Sequence, residues 1–410
     1  MPEHKKGVVP CLRFPEFRDA GEWKYMRLEP YLELYSERVT AIDNELPVYT
    51  SSRDGLKMQK EYFDGRELLN EGEYGVVPVG YFVYRHMSDD TIFKFNINDT
   101  GGRVAVSKEY PVFTTRNLDS RLLLYLLNHG ADFRRFSETQ RKGGTRTRLY
   151  FKTLCSCKLP FPCVSEQRKI AECLSSLDEV IKIQAQKLDA LKTHKKGLMQ
   201  QLFPREGETT PRLRFPEFRN AGEWIRTPVS EFGKVVTGKT PSTFKQEYWN
   251  GQFTWVTPTD ISDRKNIYSS ERRLTDEGIT AGVFLPENSV LVTCIASIGK
   301  NAILKVPGSC NQQINAIIPN KEFVADFLYY LIENNSDILL DQAGTSATSI
   351  IPNSQFQKLS FLVPSLPEQH KIADCLSSLD EVIEFQAQKL EALKTHKKGL
   401  MQQLFPQEVD

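Results

Sequence analysis

The chain has 410 residues, 40% of them hydrophobic, and a formal net charge of +1. That length implies two or three domains, each able to bury its own core, and near-neutral charge excludes a globally basic surface, so a polyanionic partner would have to meet a local patch. No run of about 18 apolar residues is present to span a membrane, and the opening MPEHKKGVVPCLRF lacks the apolar stretch of a signal peptide; a soluble, cytoplasmic chain is expected.

In chain order, the first distinctive segment is Leu12–Trp23 (LRFPEFRDAGEW), which returns as Leu213–Trp224 (LRFPEFRNAGEW) with one change. β-Branched and aromatic runs divided by turn residues follow it at Leu46–Tyr49, Tyr74–Tyr84, Arg103–Val106 and Val112–Thr115, and then Arg121–Asn128 has helical spacing. A mixed α/β domain is expected. Behind that helix Phe133–Lys152 (FRRFSETQRKGGTRTRLYFK) carries Arg134, Arg135, Arg141, Lys142, Arg146, Arg148 and Lys152 against a lone Glu138. With Gly143 and Gly144 at its centre and Thr145 beside them, it suits a loop pressed against phosphates, its arginine forks free to reach guanine edges. A solvated surface loop is the plainer reading of any one of these residues. Cys155, Cys157 and Cys163 stand in C-x-C-x5-C order without a second pair or histidines at zinc spacing, so reduced thiols rather than a metal site are expected.

Next comes a stretch that the chain repeats almost letter for letter. Glu166–Pro204 returns as Glu368–Pro406 at an offset of 202 residues, with five differences. Ile170, Leu174, Leu177, Ile181, Gln184, Leu188, Leu191, Lys195, Leu198 and Leu202 recur at alternating spacings of four and three, and the second copy repeats them as Ile372, Leu376, Leu379, Ile383, Gln386, Leu390, Leu393, Lys397, Leu400 and Leu404. That period predicts a helix with a narrow apolar seam. No glycine or proline interrupts before Gly197, and Pro204 and Pro406 end the two copies. Such a helix is a rod of roughly 50–57 Å.

A lone rod would leave its leucine seam wet, and the obvious partner is the other copy, run antiparallel about a pseudo-twofold axis near Gln184 and Gln386; pairing with another chain is the alternative. Leu213–Trp224 follows the first rod directly, whereas Leu12–Trp23 has no helix before it. If the twins occupy equivalent positions, Leu12–Trp23 docks beside the end of the second rod, near Phe405. Two independent apolar clasps built on Phe14, Phe17 and Trp23 are the bland alternative.

The second variable segment shares almost nothing with the first. It carries strand-like runs at Phe253–Val256, Ser289–Thr293, Ala302–Val306 and Ala316–Pro319, with helical spacing at Phe323–Asn334. Polar, glycine-bearing loops stand at Gly238–Ser242, Gly299–Asn301 and Gln342–Ser346, and small residues there allow close approach to a phosphate backbone. Lys239, Thr240, Lys300, Thr345 and Ser346 are the candidate DNA-contacting residues, as Arg141, Lys142, Thr145, Arg146 and Arg148 are in the first segment. Neither segment carries a phosphate-binding glycine loop, a zinc-protease helix, a nucleophile elbow or an amino-methyltransferase tetrapeptide. A non-catalytic chain is expected, with no metal and no cofactor of its own.

The fold expected is α/β, two globular domains separated by a long antiparallel two-helix coiled coil with a pseudo-twofold internal repeat. Its divisions fall at 1–163 with the clasp 12–23, 164–206, 207–365 with the clasp 213–224, and 366–410. The seam rests on Leu174, Leu177, Ile181, Leu188 and Leu191 and on Leu376, Leu379, Ile383, Leu390 and Leu393. Leu159–Ala171 (LPFPCVSEQRKIA) and Leu362–Ala373 (LVPSLPEQHKIA) lead into the two rods. With these, and with Gly238–Ser242, Phe253–Val256 (FTWV), Asn311–Ile317 (NQQINAI) and Gly344–Ile351, the chain resembles the specificity subunit of a type I restriction–modification system. The first variable segment matches that family less closely in detail.

The resemblance implies a DNA-reading subunit without chemistry of its own, each variable domain a target-recognition domain for one half of a split, asymmetric double-stranded DNA site. The coiled coil would set the unread spacer. Two methyltransferase subunits, which bind S-adenosylmethionine, and restriction–translocase subunits, which use ATP and Mg, would be its partners. A coiled-coil scaffold whose heads bind protein is the competing reading, and a stand-alone nuclease or methyltransferase a further one.

Overall fold

The computed structural model describes residues 8–41, 45–65, 72–141, 145–262, 264–342 and 350–406. Four helices position the rest: α1 (Ser120–His129), α2 (Val164–Leu202), α3 (Ala325–Asn334) and α4 (Leu366–Leu404). The two repeats form α2 and α4, each 39 residues long. Both begin two residues before the repeated Glu-Gln, since Val164 and Leu366 already have helical backbones, and both stop at Leu-Phe-Pro, where proline has no N–H to continue the ladder. Among the described residues no helix is long and apolar enough to cross a membrane.

The described residues divide into two compact units, those within Met1–Ala185 and Lys389–Asp410 and those within Gln186–Gln388. Each unit thus holds one variable segment, part of α2 and part of α4.

In the first unit a four-stranded antiparallel sheet runs in the order Leu32–Tyr35, Val112–Thr115, Phe82–Tyr84, Phe95–Ile97. A second sheet orders Val104–Ser107, Glu73–Val77 and Arg38–Thr40. The run Tyr74–Tyr84, one strand by composition, is therefore two, because Pro78 interrupts it and Gly80 turns the chain at φ +83°. α1 is capped by the Asp119 carboxylate, which accepts from the Leu122 N–H, and buries Leu122, Leu123, Leu126 and Leu127. Those leucines share one core with Trp23, the stacked pair Phe82 and Phe113, Phe133, Leu174, Leu404 and Phe405.

In the second unit five strands run in the order Gly233–Thr237, Ile314–Pro319, Ser289–Thr293, Asn301–Leu304, Asn266–Ile267, and a three-stranded sheet pairs Trp249–Val256 with Arg272–Leu274 and Gly308–Cys310. α3 buries Phe327, Leu328, Tyr330, Leu331 and Ile332 against Phe203, Trp224 and Leu376. The two variable segments share the order of their four principal strands, the first beside the last and then two consecutive ones, all antiparallel, the second unit adding Asn266–Ile267 at the edge. Each is closed by a short antiparallel pair, Lys24–Arg27 with Lys158–Phe161 and Ile225–Pro228 with Ser360–Val363.

The attachment of each variable segment to the helices is the same twice. In the first unit the Leu12 N–H donates to the Gln403 carbonyl at 2.9 Å, so the N-terminal twin does sit at the end of α4; in the second the Leu213 N–H donates to Gln201 at 2.9 Å. Arg13 forks onto Glu166 at 2.7 and 2.6 Å, and Arg214 onto Glu368 at 2.8 and 2.7 Å. The Tyr125 hydroxyl of α1 donates to Asp178 at 2.5 Å, and the Tyr330 hydroxyl of α3 to Asp380 at 2.6 Å. The seam lysines complete the pattern, Lys397 pairing with Asp178 and Lys195 with Asp380, each ammonium also lying over the tyrosine ring. Burial first, and the neighbouring carboxylate after it, push both tyrosines far above their usual range, so they stay donors at any working pH. Tyr330→Phe should therefore leave Asp380 short of a donor and cost about 1–3 kcal/mol. Thermal unfolding checks this; a loss equal to that of an exposed Tyr→Phe such as Tyr268→Phe would show that the hydrogen bond contributes nothing.

Candidate nucleic-acid interface

Strand register brings the polar loops of the second unit to one place. Thr237 pairs with Asn315, and Ile314 with Thr293, so the loops that follow Thr237 and Thr293 and precede Ile314 all leave the same end of the five-stranded sheet. Gly238 is required there: a Cβ would lie 2.1 Å from the Asn311 carbonyl oxygen and 2.5 Å from that of Cys310. The close approach lets the Lys239 N–H donate to Cys310 at 2.9 Å and the Thr240 hydroxyl to the Gln312 side chain at 2.5 Å. Lys239 and Gln312 face solvent. On the neighbouring loop the Thr293 hydroxyl holds the carbonyls of Ser297 and Lys300, turning the chain through Ala296 and Gly299 at positive φ and leaving Lys300 exposed. Ile350 pairs with Ile295 at the same edge. Thr345 and Ser346 lie outside the described residues.

In the first unit the basic cluster is not one loop. Residues Ala131–Thr139 are helical, with Phe133 buried in the core and Phe136 packed against it. Arg134 pairs with Glu138 at i, i+4 and Arg135 with Asp132 at i, i+3, so these two cations are held in local pairs along a helix, where composition alone suggested a loop. Arg141 and Thr145 are exposed; Lys142 lies outside the described residues. Arg148 is displayed from the two-residue strand Thr147–Arg148, which pairs with Met87–Ser88. That pairing brings Arg146 to Asp89 at 3.0 Å, while Arg53, on the turn of the hairpin Tyr49–Met58, meets Asp90 at 2.6 Å. The Ser88 hydroxyl and the Arg53 guanidinium hold the Asp90 carboxyl down to about 2. Exposed pairs of this kind are worth about 0–1 kcal/mol, so Arg146 and Arg53 can exchange their carboxylates for phosphates at little cost. Sequence gives no hint of Arg53, which stands far from the cluster in the chain and joins it through its ion pair with Asp90.

The seam residues are buried or half-buried without exception: Leu174, Leu188, Leu376 and Leu390 are buried, and Leu177, Ile181, Leu191, Leu379, Ile383 and Leu393 half-buried. Gln184 and Gln386 are buried as well. Cys155 and Cys157 pack in the first core, and burial pushes the Cys157 thiol up to about 12. Among the described residues no group of three or more His, Cys, Asp or Glu side chains could hold a metal ion.

The family model for the type I restriction modification DNA specificity domain matches the chain twice, over residues 69–193 and 222–395. The type I restriction enzyme MjaIX specificity subunit of Methanocaldococcus jannaschii is 35% identical over 179 residues, 42% of this chain and 41% of that one. A type I restriction enzyme specificity subunit of Escherichia coli is 29% identical over 255 residues, 58% of this chain and 59% of its own. The chain thus spans about two fifths to three fifths of the length of these curated relatives. The crystal structure of a type I restriction–modification S subunit from M. genitalium superposes with a TM-score of 0.63 at 13% identity, over 98% of this chain and 100% of that one.

Proposed function

We infer, because this chain belongs to the family of type I restriction modification DNA specificity domains, that it is the sequence-reading subunit of such a system. The observation that carries this is the double match: the family model falls once on each variable segment, and the two segments carry different sequences on one repeated attachment. Two different readers on one frame recognise a split site whose halves differ. The first reads through Arg53, Arg146, Arg148 and its neighbouring hydroxyls; the second reads through Lys239, Thr240, Gln312 and Lys300, with Thr345 and Ser346 in the segment before Ile350.

α2 and α4 act as the spacer that fixes the unread gap, an antiparallel pair supported by the Asp178–Lys397 pairing in one unit and Lys195–Asp380 in the other. Two methyltransferase subunits supply S-adenosylmethionine-dependent methylation and extrude the target adenines; restriction–translocase subunits supply ATP- and Mg-dependent cleavage. Docking of the methyltransferases on the helices is supported by Val180 and Ile183 of α2 and their twins Val382 and Phe385 of α4, which are exposed at 44–63% although apolar.

Genome-wide mapping of N6-methyladenine, in cells with and without this chain beside its methyltransferase, tests the reading. A two-part asymmetric motif with a fixed gap, lost with the chain, is the expected result; methylation that does not change would sink it. Once the motif is known, Arg148→Ala should cost about 1–3 kcal/mol on the site read by the first unit and relax only that half. Equal weakening on DNA lacking that half would reduce Arg148 to a phosphate contact.

A further inference from the structure

One loop of the second unit holds an aromatic ring entirely in water. Phe244 is 97% exposed, and its position is not that of a floppy loop. The Trp255 indole N–H donates to the Lys239 carbonyl at 3.3 Å and the Trp249 indole N–H to the Ser242 carbonyl at 3.1 Å. The two indoles meet edge to face at 5.0 Å, and the Arg272 guanidinium covers Trp249 at 3.6 Å. At the far end Lys245 donates to the Tyr248 hydroxyl at 3.1 Å. The segment is thus tied down on both sides of Phe244, whose ring stands in solvent between the two anchors. Its neighbours Lys239, Thr240, Ser242, Thr243 and Lys245 are cations and hydroxyls, the groups that meet a phosphate backbone. An apolar ring held rigidly out between phosphate-binding side chains suits a base stack, whose edge is polyanionic and whose interior is apolar.

We propose that Phe244 is a wedge that enters one base step of the bound duplex and unstacks it, fixing the second unit on its half-site and making that step's deformability part of the recognised sequence. The proposal rests on the DNA-reading function above. A protein surface, such as that of a methyltransferase subunit, is the other occupant an exposed ring could take; the cations and hydroxyls flanking Phe244 favour DNA.

The test uses the full chain and duplexes carrying the mapped motif, with 2-aminopurine placed singly at successive positions and binding followed by anisotropy. Wild-type chain should brighten one position severalfold. Phe244→Ala should leave that position dark and weaken binding about tenfold, the loss of one stacked ring, with unchanged Tm; Phe244→Trp should restore both signals. If wild type binds the duplex with salt-dependent affinity but brightens no position, or if Phe244→Ala brightens as wild type does, the wedge is overturned and the DNA-reading function stands. Loss of methyltransferase co-purification by Phe244→Ala, with duplex binding and brightening intact, also overturns it and makes Phe244 a protein contact. Failure of wild type to bind the duplex at all overturns the DNA-reading function and the wedge with it.

Discussion

Arg214→Ala is expected to destabilise the second unit by about 3–5 kcal/mol. The Arg214 fork is the sole cation on Glu368 among the described ion pairs, and Glu368 is 1% exposed. The same guanidinium holds the carbonyls of Ala221 at 2.8 Å and Gly222 at 3.1 Å, closing Leu213–Trp224 on itself against α4. Truncation therefore strands a buried carboxylate and frees two carbonyls at once. Arg214→Lys should recover only part of the loss, because an ammonium cannot serve both carboxylate oxygens and two carbonyls in one plane. The double variant Arg214→Met with Glu368→Leu should recover most of it, since no charge is then left unpaired. Hydrogen exchange over 213–228 and 360–373, read beside Tm, makes the measurement; a change below 1 kcal/mol for Arg214→Ala would refute the account. Arg13→Ala should act alike on the first unit, where the Trp23 indole N–H adds a bond to Glu166 at 3.4 Å.

Gly238→Ala should remove recognition of the half-site read by the second unit while leaving the other half readable. The added methyl would meet two backbone carbonyl oxygens inside 3 Å, and neither is the end of a flexible side chain. Relief means moving the loop, which breaks the Lys239 and Thr240 anchors and displaces the exposed Lys239 side chain from beside Gln312. Overpacking of this kind costs about 1–3 kcal/mol in stability, and misplacing contact groups by an ångström is worth about as much again in binding. Gly222→Ala is the matched control, because nothing lies within 4 Å of its added carbon. Methylation of the full motif in cells, compared with binding to duplexes carrying each half alone, separates the outcomes. Retained reading of both halves by Gly238→Ala would show that this loop does not touch DNA.

Much of the frame could be read before any coordinates. The helices follow from a period that repeats within four residues, and Val112–Thr115 and Ser289–Thr293 fall where composition places them, because β-branched runs bounded by turn residues are local signals. Leu46–Tyr49 misses by three residues: Val48 only bridges Ala105, and the strand proper is Tyr49–Ser52, set by its hairpin partner. The closing strand pairs Lys24–Arg27 with Lys158–Phe161 and Ile225–Pro228 with Ser360–Val363 went unread, since each joins residues more than a hundred apart and neither segment alone alternates clearly. Arg13–Glu166 and Arg214–Glu368 did leave a trace, an arginine and a glutamate preserved in both repeats, though nothing in the letters says they touch.

By itself the sequence determined a duplicated frame, two different variable segments mounted on it, and a resemblance to the family of type I restriction modification DNA specificity domains. Only the tertiary structure decided which of the charged and aromatic residues are displayed. It placed Arg134 and Arg135 in pairs along a helix, set Arg53 and Arg146 on the adjacent Asp90 and Asp89, gathered Lys239, Thr240 and Lys300 at one end of a sheet, and held Phe244 out. The reason is one of range: helix periodicity and turn chemistry act within a few residues, whereas display depends on strand register between segments that meet only after the chain has folded.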